Sequence, residues 1–157
     1  MPTDLTLADL LTPDRVGVCL RVEDKAAVLD AVVGLVAGAE AVRDARRLGA
    51  DVRAREAQMS TGVGAGLALP HARTPAVTRS VAAFATLDPP VDFDAIDGAP
   101  VDLLFVLLVP EAATDEHLEL LRQIASMLDR EEVRDRLRRA TTGHELYQAV
   151  VDIQNGH

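Results

Sequence analysis

The side chains of this sequence best suited to chemistry gather between Arg55 and Arg73, in the run R-E-A-Q-M-S-T-G-V-G-A-G-L-A-L-P-H-A-R. That run holds two arginines, adjacent hydroxyls at Ser60 and Thr61, three spaced glycines and a Pro-His step. A histidine with one neutral ring nitrogen is a competent nucleophile toward phosphorus, provided that donors beside it hold the oxygens of the transferring group. His71 and a neighbouring arginine would supply both. An ordinary imidazole pKa of about 6.5 leaves the neutral form available near pH 7 without special tuning. Spacing alone fits a second account equally well, a histidine in a proline-induced turn with no task.

His117 is the other point of interest. It follows Asp115 and Glu116 at the start of a predicted helix, where the positive end of the helix disfavours imidazolium and attracts anions. On position alone it also reads as a surface residue. His144, before the last predicted helix, and the terminal His157 attract no role.

Other chemistries fit less well. Gly62, Gly64 and Gly66 form G-x-G-x-G, but the run leads into a strand and misses the last position of the dinucleotide fingerprint. No Lys-Ser or Lys-Thr follows, so the nucleoside-triphosphate loop is absent too. One cysteine and four scattered histidines offer no zinc-like spacing. The arginines at 134, 136, 138 and 139 are interleaved with Asp135 and follow Glu131 and Glu132, the pattern of a solvated helix face.

Around these residues the chain reads as an α/β protein. Its 157 residues suit one domain, and a net charge of −9 argues against sequence-independent binding to nucleic acid or to an anionic membrane. Cys19 has no intramolecular partner. The amino-terminal residues lack a secretory pattern, and the longest apolar run, Leu103 to Val109, falls far short of the roughly 18 residues that span a bilayer. A cytoplasmic protein with no membrane insertion is expected.

The periodicities predict a short helical segment over 5–12 stopped at Pro13, a strand over 16–22, and a helix over 25–36 capped by Asp24. A second helix is expected over 40–56, burying Val42, Ala45, Leu48 and Val52. A loop over 59–66 precedes a short strand that ends by presenting His71 at the rim of a sheet. Further strands are expected at 80–87, broken by Asp88-Pro89-Pro90, and at 101–109, where the unbroken apolar run predicts burial on both faces. From Asp115 the pattern is helical to the end, with Leu118, Leu121, Ile124, Ala125 and Leu128 as the first buried stripe.

The run Ser60-Thr61-Gly62-Val63-Gly64, followed by Gly66-Leu67-Ala68-Leu69-Pro70-His71 with Arg55-Glu56 upstream, resembles the S-T-G-[IV]-G-x-G-[IL]-A-[IL]-P-H signature of the enzyme IIA proteins of the bacterial phosphotransferase system, fructose/mannitol class. Asp94-Ala95-Ile96-Asp97, Leu107-Leu108-Val109-Pro110 and Glu145-Leu146-Tyr147-Gln148 look most like the nitrogen-related regulatory branch. The resemblance implies a type 2 enzyme IIA fold, a mixed sheet of about five strands flanked by helices on both faces.

It implies that His71 is phosphorylated by a small histidine-containing phosphocarrier protein, forming a phosphohistidine intermediate. His117 falls at the second active-site histidine and Arg55 at the phosphate-facing arginine. Downstream it implies either regulatory protein targets or a separate sugar permease component, and it implies no metal or organic cofactor. Ser60, Thr61 and Arg73 receive no definite contact. Ala72 departs from the glycine that many members carry after the histidine.

Overall fold

The computed structural model describes residues 7–156; residues 1–6, which include the start of the expected first helix, and His157 lie outside it. A short helix α1 (Leu7–Leu10) and a 3-10 turn (Pro13–Arg15) lead into β1 (Val16–Leu20), α2 (Lys25–Val36) and α3 (Ala45–Gln58). Then come β2 (Gly62–Gly64), β3 (Leu67–Ala68), β4 (His71–Thr74), β5 (Val81–Val91) and β6 (Val101–Pro110). Three helices close the chain, α4 (Thr114–Leu128), α5 (Glu131–Arg138) and α6 (Gly143–Gln154).

Among the described residues the sheet is mixed and has six strands, with β1, β5, β6, β3 and β2 side by side and β4 paired to β6. Where a loop over 59–66 and one short strand are expected, three strands form: β2 lies inside that loop, paired with β3, and the segment ending at His71 divides into β3 and β4. Leu67 and Ala68 pair with Leu103 and Leu104, and after an interruption at Leu69-Pro70 the same register resumes with His71 opposite Leu107 and Thr74 opposite Pro110. His71 therefore opens a strand and does not end one. Proline lacks the N–H a ladder needs, and Leu69 sends its own N–H to the Thr61 carbonyl at 3.0 Å.

β6 shows why an unbroken apolar run is needed. Leu103, Phe105, Leu107 and Val109 point into one core layer, together with Leu120, Ile124, Leu128, Leu137, Leu146 and Val150 of α4 to α6. Leu104, Val106 and Leu108 point into the other, with Val28, Val32, Val36, Leu48 and Val52 of α2 and α3. The two-residue period of a strand thus divides one sequence between two cores, and helices cover both faces as expected.

The expected boundaries shift in three places, and the buried stripe of α4 shifts too. Asp24 caps α2 as read, its carboxylate accepting from Ala27 N at 2.8 Å. The next helix begins at Ala45, not at 40, because Asp44 accepts from Arg47 N and the preceding backbone is used elsewhere: Arg43 N donates to Ala76 O, and Thr78 N to Ala41 O. β5 runs through Asp88-Pro89-Pro90 as a bulge, with Thr86 opposite Leu103 and then Val91 opposite Val101. β1 stops at Leu20, since Cys19 adopts a φ of 52° and gives its N–H to the Thr86 hydroxyl. In α4, Leu118 is 55% exposed and Ala125 faces solvent, while Leu120 and Met127 take the buried places.

Candidate functional site

α3, β4 and the start of α4 converge on one cleft of about 690 Å³ whose walls include Arg55, His71, Arg73 and His117. Arg55, His71 and Arg73 share one stretch of sequence, but His117 lies 46 residues beyond His71, and the two core layers bring them together. α3 is held by the burial of Leu48 and Val52, β4 by its pairing to β6, and α4 by Leu120 and Ile124. A further tie is the hydrogen bond from the Ser80 hydroxyl to the Glu116 carboxylate, which pins the first turn of α4 to the start of β5.

The His71 and His117 rings lie 5.4 Å apart between centroids, tilted by 58°. His71 Nδ1 is 2.6 Å from the Leu69 carbonyl. A carbonyl only accepts, so Nδ1 carries the proton in the neutral ring and the lone pair resides on Nε2. The carbonyl is free for this bond because the Leu69-Pro70 step leaves the ladder. Among the described residues, His117 Nδ1 is buried and has no hydrogen-bond partner.

Both imidazoles are held below their ordinary pKa. Burial is the main cause for His71, reinforced by the Arg55 charge and opposed by the Leu69 carbonyl and by Glu56. Burial also leads for His117, followed by the positive character of His71, Arg73 and Arg55. The helix-end argument for a neutral His117 is not the operative one: α4 begins at Thr114, and the His117 amide already donates to the Ala113 carbonyl.

The arginines are steered. Arg55 Nη1 donates to the Met59 carbonyl at 3.0 Å, at the end of its own helix. Arg73 Nη1 donates to the Thr114 hydroxyl at 2.9 Å, linking the strand of one histidine to the helix of the other. Arg47 is paired with Asp51 at 3.0 Å. The cleft thus sets neutral imidazoles, one with its lone pair on Nε2, beside positive guanidiniums, an arrangement able to seat an anion.

Ser60 and Thr61 serve the loop. The Ser60 hydroxyl donates to the Phe93 carbonyl at 2.6 Å, and the Thr61 hydroxyl to Glu56 at 2.7 Å. The glycines are turn and contact residues: a Cβ on Gly62 would lie 2.8 Å from that of Ala95, and Gly66, at a φ of 79°, would meet the Arg138 guanidinium at 2.5 Å. Arg138 itself clamps this turn, reaching Asp102 and the Ala65 carbonyl.

A family model described as phosphoenolpyruvate-dependent sugar phosphotransferase system, EIIA 2, matches residues 9–152. The chain belongs to this enzyme IIA family. It is 55% identical over 152 residues to a nitrogen regulatory protein of Pseudomonas aeruginosa, covering 97% of this chain and 99% of the relative. It is 33% identical to the fructose-specific EIIABC component of Bacillus subtilis, covering 98% of this chain but 24% of that longer protein. Among solved structures, nitrogen regulatory protein IIA-Ntr from Neisseria meningitidis superposes with a TM-score of 0.84 at 33% identity, over 91% of this chain and 97% of the other.

Within this enzyme IIA chain the three residues singled out from sequence, Arg55, His71 and His117, all line the cleft. Three supporting contacts were not legible as such: Glu56 with Thr61, Ser80 with Glu116, and Arg73 with Thr114. Glu56 did leave a signal, since it stands four residues beyond Val52 and eight beyond Leu48, on the buried stripe of its helix.

Proposed function

We propose that this enzyme IIA accepts a phosphoryl group on His71 from a small histidine-containing phosphocarrier protein and that its output is regulatory and nitrogen-related. The observation that carries the reading is the pairing of His71 and His117 across one arginine-walled cleft, with rings 5.4 Å apart. Nε2 of neutral His71 attacks the phosphorus of the donor phosphohistidine. The new Nε2–P bond forms as the donor N–P bond breaks, and that bond's electron pair stays on the donor imidazole. The proton on Nδ1 does not move, and the Leu69 carbonyl stabilises the positive charge that the ring gains. Arg55 offsets the charge on the transferring oxygens and His117 donates to one of them, so that catalysis is mainly positioning and electrostatics.

The regulatory output rests on the 55% identity to the Pseudomonas aeruginosa nitrogen regulatory protein over nearly both full lengths. Phosphorylation brings about two negative charges to one face, enough to alter the affinity of a protein target by local repulsion. The likeness to a fructose-specific component favours a second reading, transfer onward to a separate permease component of fructose or mannitol type. The test is incubation with phosphoenolpyruvate, the first enzyme of the system and the carrier, followed by assay for acid-labile phosphate. Label on the unsubstituted chain and none on His71→Ala is the expected result; full label on His71→Ala would sink the assignment. Onward passage of the label to a permease domain would select the second reading.

A further inference from the structure

Glu56 occupies a costly place. It is 5% exposed, and it lies in the last turn of α3, where the helix dipole opposes negative charge. A buried carboxylate is retained only when donors compensate it, and here the donors form a directed row. Both of its oxygens accept from Thr61 N, at 2.9 and 2.8 Å, and one accepts from the Thr61 hydroxyl at 2.7 Å. The Thr61 carbonyl accepts from Leu69 N at 3.0 Å, and the Leu69 carbonyl receives His71 Nδ1 at 2.6 Å. Every link has its donor on the His71 side. Lys25 closes the row from behind, 3.8 Å from Glu56 and 4.8 Å above the Phe93 ring.

We propose that Glu56 is a positioning residue for His71, fixing the tautomer and tilt of the imidazole through Thr61 and Leu69 so that Nε2 is the nitrogen left to react. This deepens the reading of His71 as nucleophile and rests on it. Glu56 touches no phosphoryl oxygen. Its effect is to hold in place the carbonyl that keeps the proton on Nδ1, and to lie behind the ring when that ring turns positive. Two successive residues of α3 then act in opposite senses. Arg55, on the cleft wall, favours the neutral ring before transfer, and Glu56, buried behind the loop, favours the charged ring after it; the directions in which they move the His71 pKa agree.

The test is ¹⁵N spectroscopy of the His71 ring in the unphosphorylated chain, across the pH range in which that ring titrates; the charged and titratable groups that face it are Arg55 and Glu56 from α3, Arg73 from β4 and His117 from α4. The unsubstituted chain should show the Nδ1–H tautomer alone above its midpoint. Glu56→Gln, nearly isosteric, should give mixed tautomers and a lower midpoint, with phosphoryl uptake slowed roughly tenfold, the low end of what loss of an orienting partner costs a metal-bound histidine. Thr61→Val keeps the N–H and removes only the hydroxyl, and should move the tautomer in the same direction by less. Tautomer and midpoint unchanged in both variants would overturn the proposal. No carrier enters the spectroscopy, so failure of the unsubstituted chain to take up phosphate would sink the function and leave the tautomer result standing.

Discussion

His117 faces His71 across 5.4 Å with its Nδ1 buried and unpartnered, and His71 contributes to holding the His117 pKa down. Two imidazoles so placed are both available in neutral form, and the proposed function has His71 attack while His117 donates. Their roles separate on substitution. His117→Ala should leave His71 phosphorylatable but slow uptake by about 10²-fold, the usual cost of one lost donor at a charged transition state. Rapid-quench labelling checks this, and an unchanged rate would remove His117 from the chemistry.

The pH dependence follows from the direction of both shifts. Since the folded chain holds both histidines below the ordinary value of 6.5, His71 should be a neutral nucleophile throughout the range above about 6.5, and uptake should be flat there. The linkage has the same sign. The unfolded chain binds more protons in the window below 6.5, so stability is full above that pH and declines as pH falls toward the folded values. Urea midpoints should therefore drop between pH 7 and pH 5.5, and drop less in His71→Ala.

Arg55 offers a test of geometry against charge. Arg55→Met should lower the transfer rate by about 10²-fold or more. Arg55→Lys keeps the charge but loses the planar fork and its bond to the Met59 carbonyl, and should fall between the two. Equal rates for Lys and Met would mean that the fork, and not the charge, carries the effect.

Gly62 tests the turn. A methyl placed 2.8 Å from Ala95 Cβ and 2.9 Å from its Cα must displace backbone, so Gly62→Ala should cost about 1 to 3 kcal/mol. Urea denaturation measures it. Gly34, with nothing within 4 Å of its missing Cβ, is the control, and its alanine variant should be neutral or more stable.

How much of this was legible in the sequence varies residue by residue. Asp24 announced a helix and Val101 to Val109 a strand buried on both sides, because each of these obeys a local rule, whereas spacing around the Leu-Pro-His run fitted a histidine with no task equally well. Where α3 begins did not follow from local rules, since Val42, though apolar and well spaced, bridges to Val77 from a distant loop. Leu118 fitted the helical stripe too, yet the packing of α4 turns it outward. The row from Glu56 to His71 crosses three segments, and no spacing within any one of them encodes it.

The alternation along β6 has one more consequence. Arg55 belongs to a helix seated on one core layer and His117 to a helix seated on the other, so the cleft exists only when both layers have docked. If His71 accepts phosphate as proposed, a chain with half its fold in place would lack the cleft to do so, and phosphate on His71 would double as a certificate of complete folding.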